Sequence, residues 1–250
     1  MSEWNSELYD NKHDFVAEYG KGLLEFVPQN RNQSILDLGC GTGTLTEGLT
    51  NLADTVVGVD SSKNMIKKAK SQYSDITFMV CDALSLPFEK QFDVVFSNAV
   101  FHWISDHDTL LSNVHKALKP NGVLICEFGA KGNIATIENA FMDVCKEVGH
   151  QYTPKFNFQT SEKFAELLKK NNFIIDKIYD YDRPTPLKDE EEGLSNWIKQ
   201  FFESDLELLS EKMQSDVIKK VEDLTRDTLW DGKQWVADYR RLRAIAHIEI

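Results

Sequence analysis

The sequence predicts an α/β fold in which helices cover both faces of a parallel sheet. Three observations point to this fold. Short apolar runs alternate with segments of helical spacing through the first 130 residues. These runs are continuous, which is typical of parallel strands that are buried on both faces. The segment 35–49, ILDLGCGTGTLTEGL, passes from an apolar run through a glycine-rich loop into a helical pattern, and such loops usually hold a nucleotide.

The elements of the first half are predicted in chain order from this pattern. A helix over 12–27 comes first, because Phe15, Tyr19 and Leu23 recur on one face. Strands and helices then alternate, with strands at 34–38, 55–60, 76–80, 92–97 and 123–128, and helices at 43–53, 62–73 and 105–118. The predicted N-cap is Ser62 for the helix at 62–73, and Ser105 or Asp106 for the helix at 105–118.

The second half has a different pattern but no sign of a separate domain. It contains predicted helices at 133–148, 161–171, 190–203 and 205–227, and predicted strands at 173–182 and 236–250. Ser161 is the predicted N-cap of its helix. No repeat, low-complexity tract or Gly/Ser linker divides the chain, so we predict a single domain over 1–250. Within it, residues 188–230 would form a helical cap inserted between the last two strands.

Composition excludes several classes of partner. A net charge of −12 disfavours nucleic acid, because binding a polyanion requires Lys and Arg to neutralise its phosphates. The four cysteines show no CxxC pair or zinc spacing, so we expect reduced thiols and no metal site. No apolar run approaches the ~18 residues of a membrane span, and the acidic start lacks a secretory signal. We therefore expect a cytoplasmic protein that acts on a small molecule, with its oligomeric state left open.

The glycine loop indicates which nucleotide is bound. The loop reads Gly39-Cys40-Gly41-Thr42-Gly43, and Thr44 stands where the dinucleotide fingerprint has its third glycine. Just before the loop, Asp37 would repel a pyrophosphate but would pair with an α-ammonium group. Asp60 ends the second strand, where a carboxylate accepts from ribose hydroxyls. A ligand with a ribose and an ammonium group but no phosphate describes S-adenosylmethionine.

Two further strand ends supply groups for the same ligand. Asp82 and Ala83 follow the third strand, where they could meet the adenine ring. Asn98 follows the fourth strand, beside the expected methionine end. Ligands of open α/β sheets bind at these carboxyl ends of the strands. Asp82 could instead be a turn former, and Met65, at helical spacing, could be a core residue.

At this point the sequence resembles the class I S-adenosylmethionine-dependent methyltransferases, and within them the trans-aconitate and malonyl-carrier-protein group. The resemblance is carried by ILDLGCGTGTLTEGL, VVGVDSSKNMIKKAK, CDALSLPF, FDVVFSNAVFHW and LKPNG. It implies a Rossmann-like, seven-stranded, mostly parallel sheet with an antiparallel last strand, residues 34–130 as the cofactor-binding core, a lid within residues 1–30, and S-adenosylhomocysteine as product. Implied cofactor contacts are Asp37, Gly39, Cys40, Gly41, Asp60, Ser61, Met65, Asp82, Ala83 and Asn98.

The acceptor is predicted less directly. The family resemblance favours O-methylation of a carboxylate, and Arg183 is the predicted holder of that anion because its fork suits carboxylates. Tyr9 and Trp103 are predicted substrate contacts, and His102 is a candidate general base. Arg183 could instead pair with neighbouring acids, and His102 and Trp103 could be packing residues. A neutral aromatic or amine acceptor, or a protein that binds S-adenosylmethionine without catalysis, remains the alternative.

Overall fold

The computed structural model describes residue 20 and residues 22–249. Within them, seven strands form one sheet in the order β3-β2-β1-β4-β5-β9-β6, and β7 and β8 form a separate pair. The strands are β1 (Ser34–Leu38), β2 (Thr55–Asp60), β3 (Thr77–Val80), β4 (Phe92–Asn98), β5 (Leu118–Gly129), β6 (Ile174–Asp182), β7 (Thr185–Pro186), β8 (Val236–Ala237) and β9 (Arg240–His247).

Helices of the described residues connect these strands. They are α1 (Thr44–Thr50), α2 (Lys63–Gln72), α3 (His107–Ala117), α4 (Ala135–Glu147), α5 (Ser161–Lys170), α6 (Gly193–Phe201), α7 (Glu203–Leu206) and α8 (Glu211–Leu229). Short 3₁₀ turns lie at Ala83–Ser85, Phe101–Trp103 and Glu190–Glu192. None of the described helices combines the length and the apolar character that crossing a membrane requires.

The sheet confirms the predicted fold class. Strands β1 to β5 pair in parallel, whereas β9 is antiparallel to both of its neighbours, β5 and β6. The chain leaves β1 in one direction towards β2 and β3, and β4 and β5 lie on the other side. Such a reversal of strand order opens a crevice at the carboxyl ends of β1 and β4, where open α/β sheets bind ligands.

Two of the predicted helix starts are confirmed and one is wrong. Ser62 accepts a hydrogen bond from the backbone N–H of Met65, and Asp106 accepts one from Thr109, so each caps its helix. Thr160 rather than Ser161 caps α5. The Ser161 hydroxyl instead donates to Asp180 at 2.7 Å, which ties α5 to β6. Either of the adjacent residues Thr160 and Ser161 has a hydroxyl that suits an N-cap. Thr160 takes this position because the hydroxyl of Ser161 is bound to Asp180.

The last predicted strand is also corrected in part. Residues 236–250 were one strand in the prediction, but β8 and β9 are separated, and β8 pairs with β7 instead of joining the main sheet. Asp238 lies at this break and accepts from the backbone N–H of Thr136 at 2.8 Å. The predicted helix at 205–227 begins later, at Glu211 of α8, because α7 (Glu203–Leu206) lies across the predicted boundary with the helix at 190–203. Most of the predicted helix at 12–27, Tyr9 and most of the 1–30 lid lie outside the described residues.

A hydrophobic cluster joins the helices between β7 and β8 to the rest of the molecule. Trp197 and Ile198 of α6 and Val217 and Val221 of α8 are buried in it, together with Phe141 of α4. These helices therefore pack on α4, which follows β5. The assignment of one domain with a cap at 188–230 stays a prediction, but this packing gives the cap helices a fixed support beside the sheet.

The carboxylate of Glu127 joins the three strands at one side of the sheet. It is fully buried on β5 and accepts hydrogen bonds from Arg183 (2.9 Å), Tyr181 (2.9 Å) and Arg243 Nε (2.7 Å). The guanidinium of Arg241 lies further away, with its Nε 3.9 Å from Glu127 Oε1. Three arginines thus surround one carboxylate, which leaves a local surplus of positive charge.

We expect Glu127→Gln to destabilise the fold by about 3–5 kcal/mol, because it removes the anion that three buried or half-buried guanidinium groups share. Urea unfolding of the wild-type protein and the variant measures this difference. The matched control is Asp182→Asn, which breaks the exposed pair with Arg240 and should change the free energy of unfolding by less than about 1 kcal/mol. Equal losses in the two variants would contradict the central role of Glu127.

Candidate active site

A cavity of about 460 Å³ lies at the carboxyl ends of the strands. It extends from the glycine loop after β1, past the ends of β2 and β4, to residues of α6 and the start of β9. Its volume is within the range of small-molecule sites. Eight of the ten predicted cofactor contacts line it, namely Gly39, Gly41, Asp60, Ser61, Met65, Asp82, Ala83 and Asn98.

The glycine loop is shaped by close backbone contacts. The backbone N–H groups of Gly39 and Cys40 both donate to the carbonyl oxygen of Val59, at 2.7 and 3.0 Å. Gly39 has a φ of +80°, and a Cβ at this position would lie 2.1 Å from a methyl group of Val100. At Gly41, with a φ of +54°, a Cβ would meet no atom within 4 Å. Gly39 therefore allows the loop to pass Val100, and Gly41 leaves open space on the cavity side.

Asp60 is held rigidly at the end of β2. Its two carboxylate oxygens accept from the backbone N–H groups of Gly41 (3.0 Å) and Ser62 (2.8 Å). Burial raises the pKa of Asp60, and these two hydrogen bonds oppose that effect. The free lone pairs of a carboxylate anchored in this way are available to hydroxyl donors in the cavity.

Asp37 and Cys40 are the two predicted cofactor contacts that do not line the cavity. Asp37 is buried and accepts from the hydroxyl of Thr46 at 2.6 Å. Burial raises the pKa of Asp37 to about 7, with a smaller contribution from the charge of Asp60, although the Thr46 hydrogen bond opposes the shift. The side chain of Cys40 packs with Ile66 and Phe78, and burial raises the pKa of its thiol. Only the backbone of Cys40 belongs to the loop geometry.

Asp82 and Met65, two further predicted cofactor contacts, line the cavity and also have a structural role. Asp82 lines the cavity and also caps the 3₁₀ turn after β3, accepting from the backbone N–H of Leu84 at 2.9 Å. Met65 is 4% exposed, so it is at once a core residue and part of the cavity lining. Asp82 is therefore both a turn former and a lining residue, and Met65 is both a core residue and a lining residue.

His102 is buried, lines the cavity and has a defined tautomer. The backbone N–H of Gly129 donates to His102 Nδ1 at 3.2 Å. Burial, and then the nearby charge of Arg241, hold the pKa of His102 well below 6.5. A neutral imidazole that accepts through Nδ1 carries its proton on Nε2. This hydrogen bond thus assigns His102 as an N–H donor, whereas a general base would have to become a buried imidazolium.

Five aromatic side chains form one wall of the cavity, here called the aromatic wall: Trp103, Phe156, Phe158, Trp197 and Phe201. Their rings are in mutual contact, with centroid distances of 4.8 Å for Trp103–Phe156, 5.2 Å for Phe156–Phe158 and 4.7 Å for Trp197–Phe201. Trp197 Nε1 donates to Tyr239 Oη at 2.8 Å. The wall is consequently apolar and fixed by packing.

The arginine in the cavity lining is Arg241, not the predicted Arg183. The Arg183 guanidinium is bound to Glu127 and does not line the cavity, which is the structural role that the sequence left open. Arg241 does line it, its side chain is 4% exposed, and its Nε has no hydrogen-bond acceptor among the described residues. Burial, and then repulsion from Arg183, lower the pKa of Arg241 to about 10, so it stays charged at neutral pH.

Sequence reasoning missed Arg241, Phe156 and Phe158. Alternation along β9 puts Arg241 and Arg243 on one face, but it does not tell which side chains that face meets. Phe156 and Phe158 lie in an irregular segment between α4 and α5, where no periodicity identifies a cavity residue. The sequence does alternate between apolar and polar residues at 156–159, but this pattern is too short to predict a strand or a cavity wall.

The fold and the site define a methyltransferase of the S-adenosylmethionine-dependent type, and comparison with known proteins agrees. Residues 36–126 match the family described as "Methyltransferase domain". An uncharacterized methyltransferase of Schizosaccharomyces pombe is 30% identical over 98% of both chains. This chain therefore belongs to the class I S-adenosylmethionine-dependent methyltransferases, and S-adenosylmethionine is its cofactor.

More distant relatives and structures share parts of this architecture. The trans-aconitate 2-methyltransferase of Variovorax paradoxus is 35% identical, over 50% of this chain and 49% of its own. The geranyl diphosphate C-methyltransferase of Streptomyces coelicolor, solved with Mg²⁺, geranyl diphosphate and S-adenosylhomocysteine, superposes with a TM-score of 0.57 and 15% identity. That superposition covers 99% of this chain and 86% of the other, and it shows a common fold.

The raised pKa of Asp37 gives a testable pH dependence. The folded state holds a proton on Asp37 up to about pH 7, whereas the unfolded state loses it near pH 4. Without cofactor, the contribution of Asp37 to stability therefore falls between these pH values and is constant above them. We expect Asp37→Asn to become more stable relative to wild type, by at least about 1 kcal/mol, when the pH is raised from 5 to 8.

Urea unfolding at the two pH values tests this expectation. Asp54→Asn is the matched control, since Asp54 is exposed and its pairing with Arg31 is at the surface. Its stability relative to wild type should be the same at pH 5 and pH 8. A pH-independent difference between Asp37→Asn and wild type would contradict the raised pKa.

Proposed function

We propose that this protein transfers the methyl group of S-adenosylmethionine to a carboxylate oxygen of a small molecule. The observation that carries the proposal is the guanidinium of Arg241, which lies in the cavity lining, is almost fully buried and has no hydrogen-bond acceptor for its Nε among the described residues. Buried polar groups are normally hydrogen-bonded. A carboxylate entering the cavity would supply an acceptor for this Nε.

The polar and apolar groups that line the cavity fit S-adenosylmethionine. Asp60, anchored by the backbone of Gly41 and Ser62, would accept from the ribose hydroxyls. The open space at Gly41 leaves room for the ligand against the loop backbone. Met65, Asp82 and Ala83 would meet the adenine ring, and Asn98 would serve the amino-acid end.

Carboxylate methylation matches the protonation states of the site. The acceptor oxygen would form a bond to the methyl carbon while the carbon–sulfur bond breaks and its electron pair stays on sulfur, which would give a neutral methyl ester and S-adenosylhomocysteine. An ionised carboxylate has no proton to lose, so no general base is needed. His102 would act here as an Nε2–H donor that orients the acceptor, in place of the predicted base.

The positive surplus around Glu127 supports the same assignment. Glu127 is shared by Arg183, Arg241 and Arg243, and the whole chain carries a net charge of −12. The overall field opposes an anion, so the anion needs a local cation. The similarity to trans-aconitate 2-methyltransferases adds support, because the name of those relatives implies a carboxylate-bearing acceptor.

A screen of matched acceptors tests the proposal. Carboxylic acids are compared with their primary amides, alcohols and amines, with release of S-adenosylhomocysteine and the mass of the methylated product as readouts. We expect turnover of acids and none of the corresponding amides, because only the acid supplies an anion to Arg241. Methylation confined to phenols, alcohols or amines would favour the neutral or amine alternative, and absence of turnover with every acceptor would favour a binding protein.

Arg241→Lys is expected to raise KM for the acid at least about tenfold, because the charge is kept but the bidentate fork is lost. The value of kcat should fall less than KM rises. The matched control is Arg183→Lys, the same change in a neighbouring arginine that does not line the cavity. Its KM should stay within about threefold of wild type. The opposite order of effects would restore Arg183 as the anion-binding residue.

A further inference from the structure

The acceptor part of the cavity joins one cation to an extended apolar surface. Arg241 contacts the ring of Tyr239, whose centroid lies 5.6 Å from the guanidinium carbon. Tyr239 Oη in turn accepts from Trp197 of the aromatic wall at 2.8 Å. The wall continues from Trp197 through Phe201, which stacks on Trp103 with centroids 6.4 Å apart. One bound molecule of modest size would therefore touch both the cation and the wall.

On the basis of the proposed function, we propose that the acceptor is a monocarboxylic acid with an apolar body, such as an aliphatic or arylalkyl chain, and not a polycarboxylate. The carboxylate would lie at Arg241 and His102, and the body would lie against the aromatic wall. This assignment differs from what the name of the trans-aconitate 2-methyltransferase relatives alone suggests. It rests on the side chains that line this cavity, several of which lie outside the residues 36–126 that match the methyltransferase family.

The charges of the described lining residues disfavour a second and third carboxylate. The cationic side chains among the described lining residues are Arg241 and Lys63. Lys63 is the first residue of α2 and follows Ser61 and Ser62, so it belongs to the cofactor end of the cavity. A further carboxylate beside the aromatic wall would lose its hydration without gaining a cation, and such burial is strongly unfavourable.

The aromatic wall provides the matching surface for an apolar body. Each methylene group that leaves water for an apolar surface strengthens binding by about fourfold. The affinity should therefore increase with chain length until the wall is covered. The methyl ester product keeps the apolar contacts but has lost the anion that binds Arg241, so it should bind more weakly than the acid.

The test measures binding to the protein loaded with S-adenosylhomocysteine, by calorimetry and by the fluorescence of the wall tryptophans. The probes are butanoate, hexanoate, octanoate, decanoate and 3-phenylpropanoate, with citrate and trans-aconitate as polycarboxylates. We expect Kd to fall about twofold to fourfold per methylene from butanoate to octanoate, and the polycarboxylates to bind at least about a hundredfold more weakly than octanoate. Turnover with S-adenosylmethionine should follow the same order in kcat/KM.

A pair of matched variants separates the wall from general packing. Phe156 and Trp230 both pack, partly buried, against the same hydrophobic cluster, but only Phe156 lines the cavity. Phe156→Leu should weaken octanoate at least about fivefold and leave S-adenosylhomocysteine affinity unchanged, whereas Trp230→Leu should change neither. Phe201→Leu serves as a second wall variant with the same expectation if Phe156→Leu does not fold.

The outcomes distinguish this inference from the proposed function. Affinity that is independent of chain length, or polycarboxylates that bind and turn over as well as octanoate, would overturn the inference and leave carboxylate O-methylation intact. Failure of every acid to bind would also overturn the inference. Methylation of neutral or cationic acceptors alone would overturn both.

Discussion

The shared anion of Glu127 is the interaction on which the acceptor side of the molecule depends. It fixes β5, β6 and β9 to one another through Arg183, Tyr181 and Arg243, at the place where the sheet changes from parallel to antiparallel pairing. Strand pairing sets the spacing of backbones, but it does not by itself fix long side chains. The buried carboxylate does so, and it thereby holds the face from which Arg241 reaches the cavity.

The cofactor half of the site could be predicted from the sequence because its signals are local. Asp60 directly follows the second apolar run, and the glycine loop directly follows the first, so their places at the carboxyl ends of neighbouring parallel strands follow from chain order. Strands β1 to β4 lie close to their predicted bounds for the same reason, whereas β5 begins at Leu118, five residues before the predicted start at 123. In contrast, Asp37 meets Thr46 rather than the cavity, which depends on how α1 packs and not on the strand pattern.

The acceptor half could not be predicted in the same way, because it is assembled from distant segments. Whether Arg183 or Arg241 lines the cavity depends on how β6 and the residues after it pair with β9, and the register of these two strands shifts between Ile175 and Lys177. The chemical role of His102 depends on a backbone N–H donated by Gly129, 27 residues further along the chain. Residue type made His102 a candidate, but only its tertiary partner distinguishes a proton donor from a base.

The excess of arginine over carboxylate near Glu127 also bears on how this protein can change. A neutral apolar side chain at position 241 would remove a buried charge, which favours the stability of the fold, but it would also remove the proposed binding group for a carboxylate. Stability therefore favours an apolar residue at position 241, whereas the proposed recognition of a carboxylate requires arginine. Laboratory selection for thermal stability alone would therefore tend to replace Arg241 by an apolar residue. Selection for an uncharged acceptor would favour the same replacement, because it costs no stability.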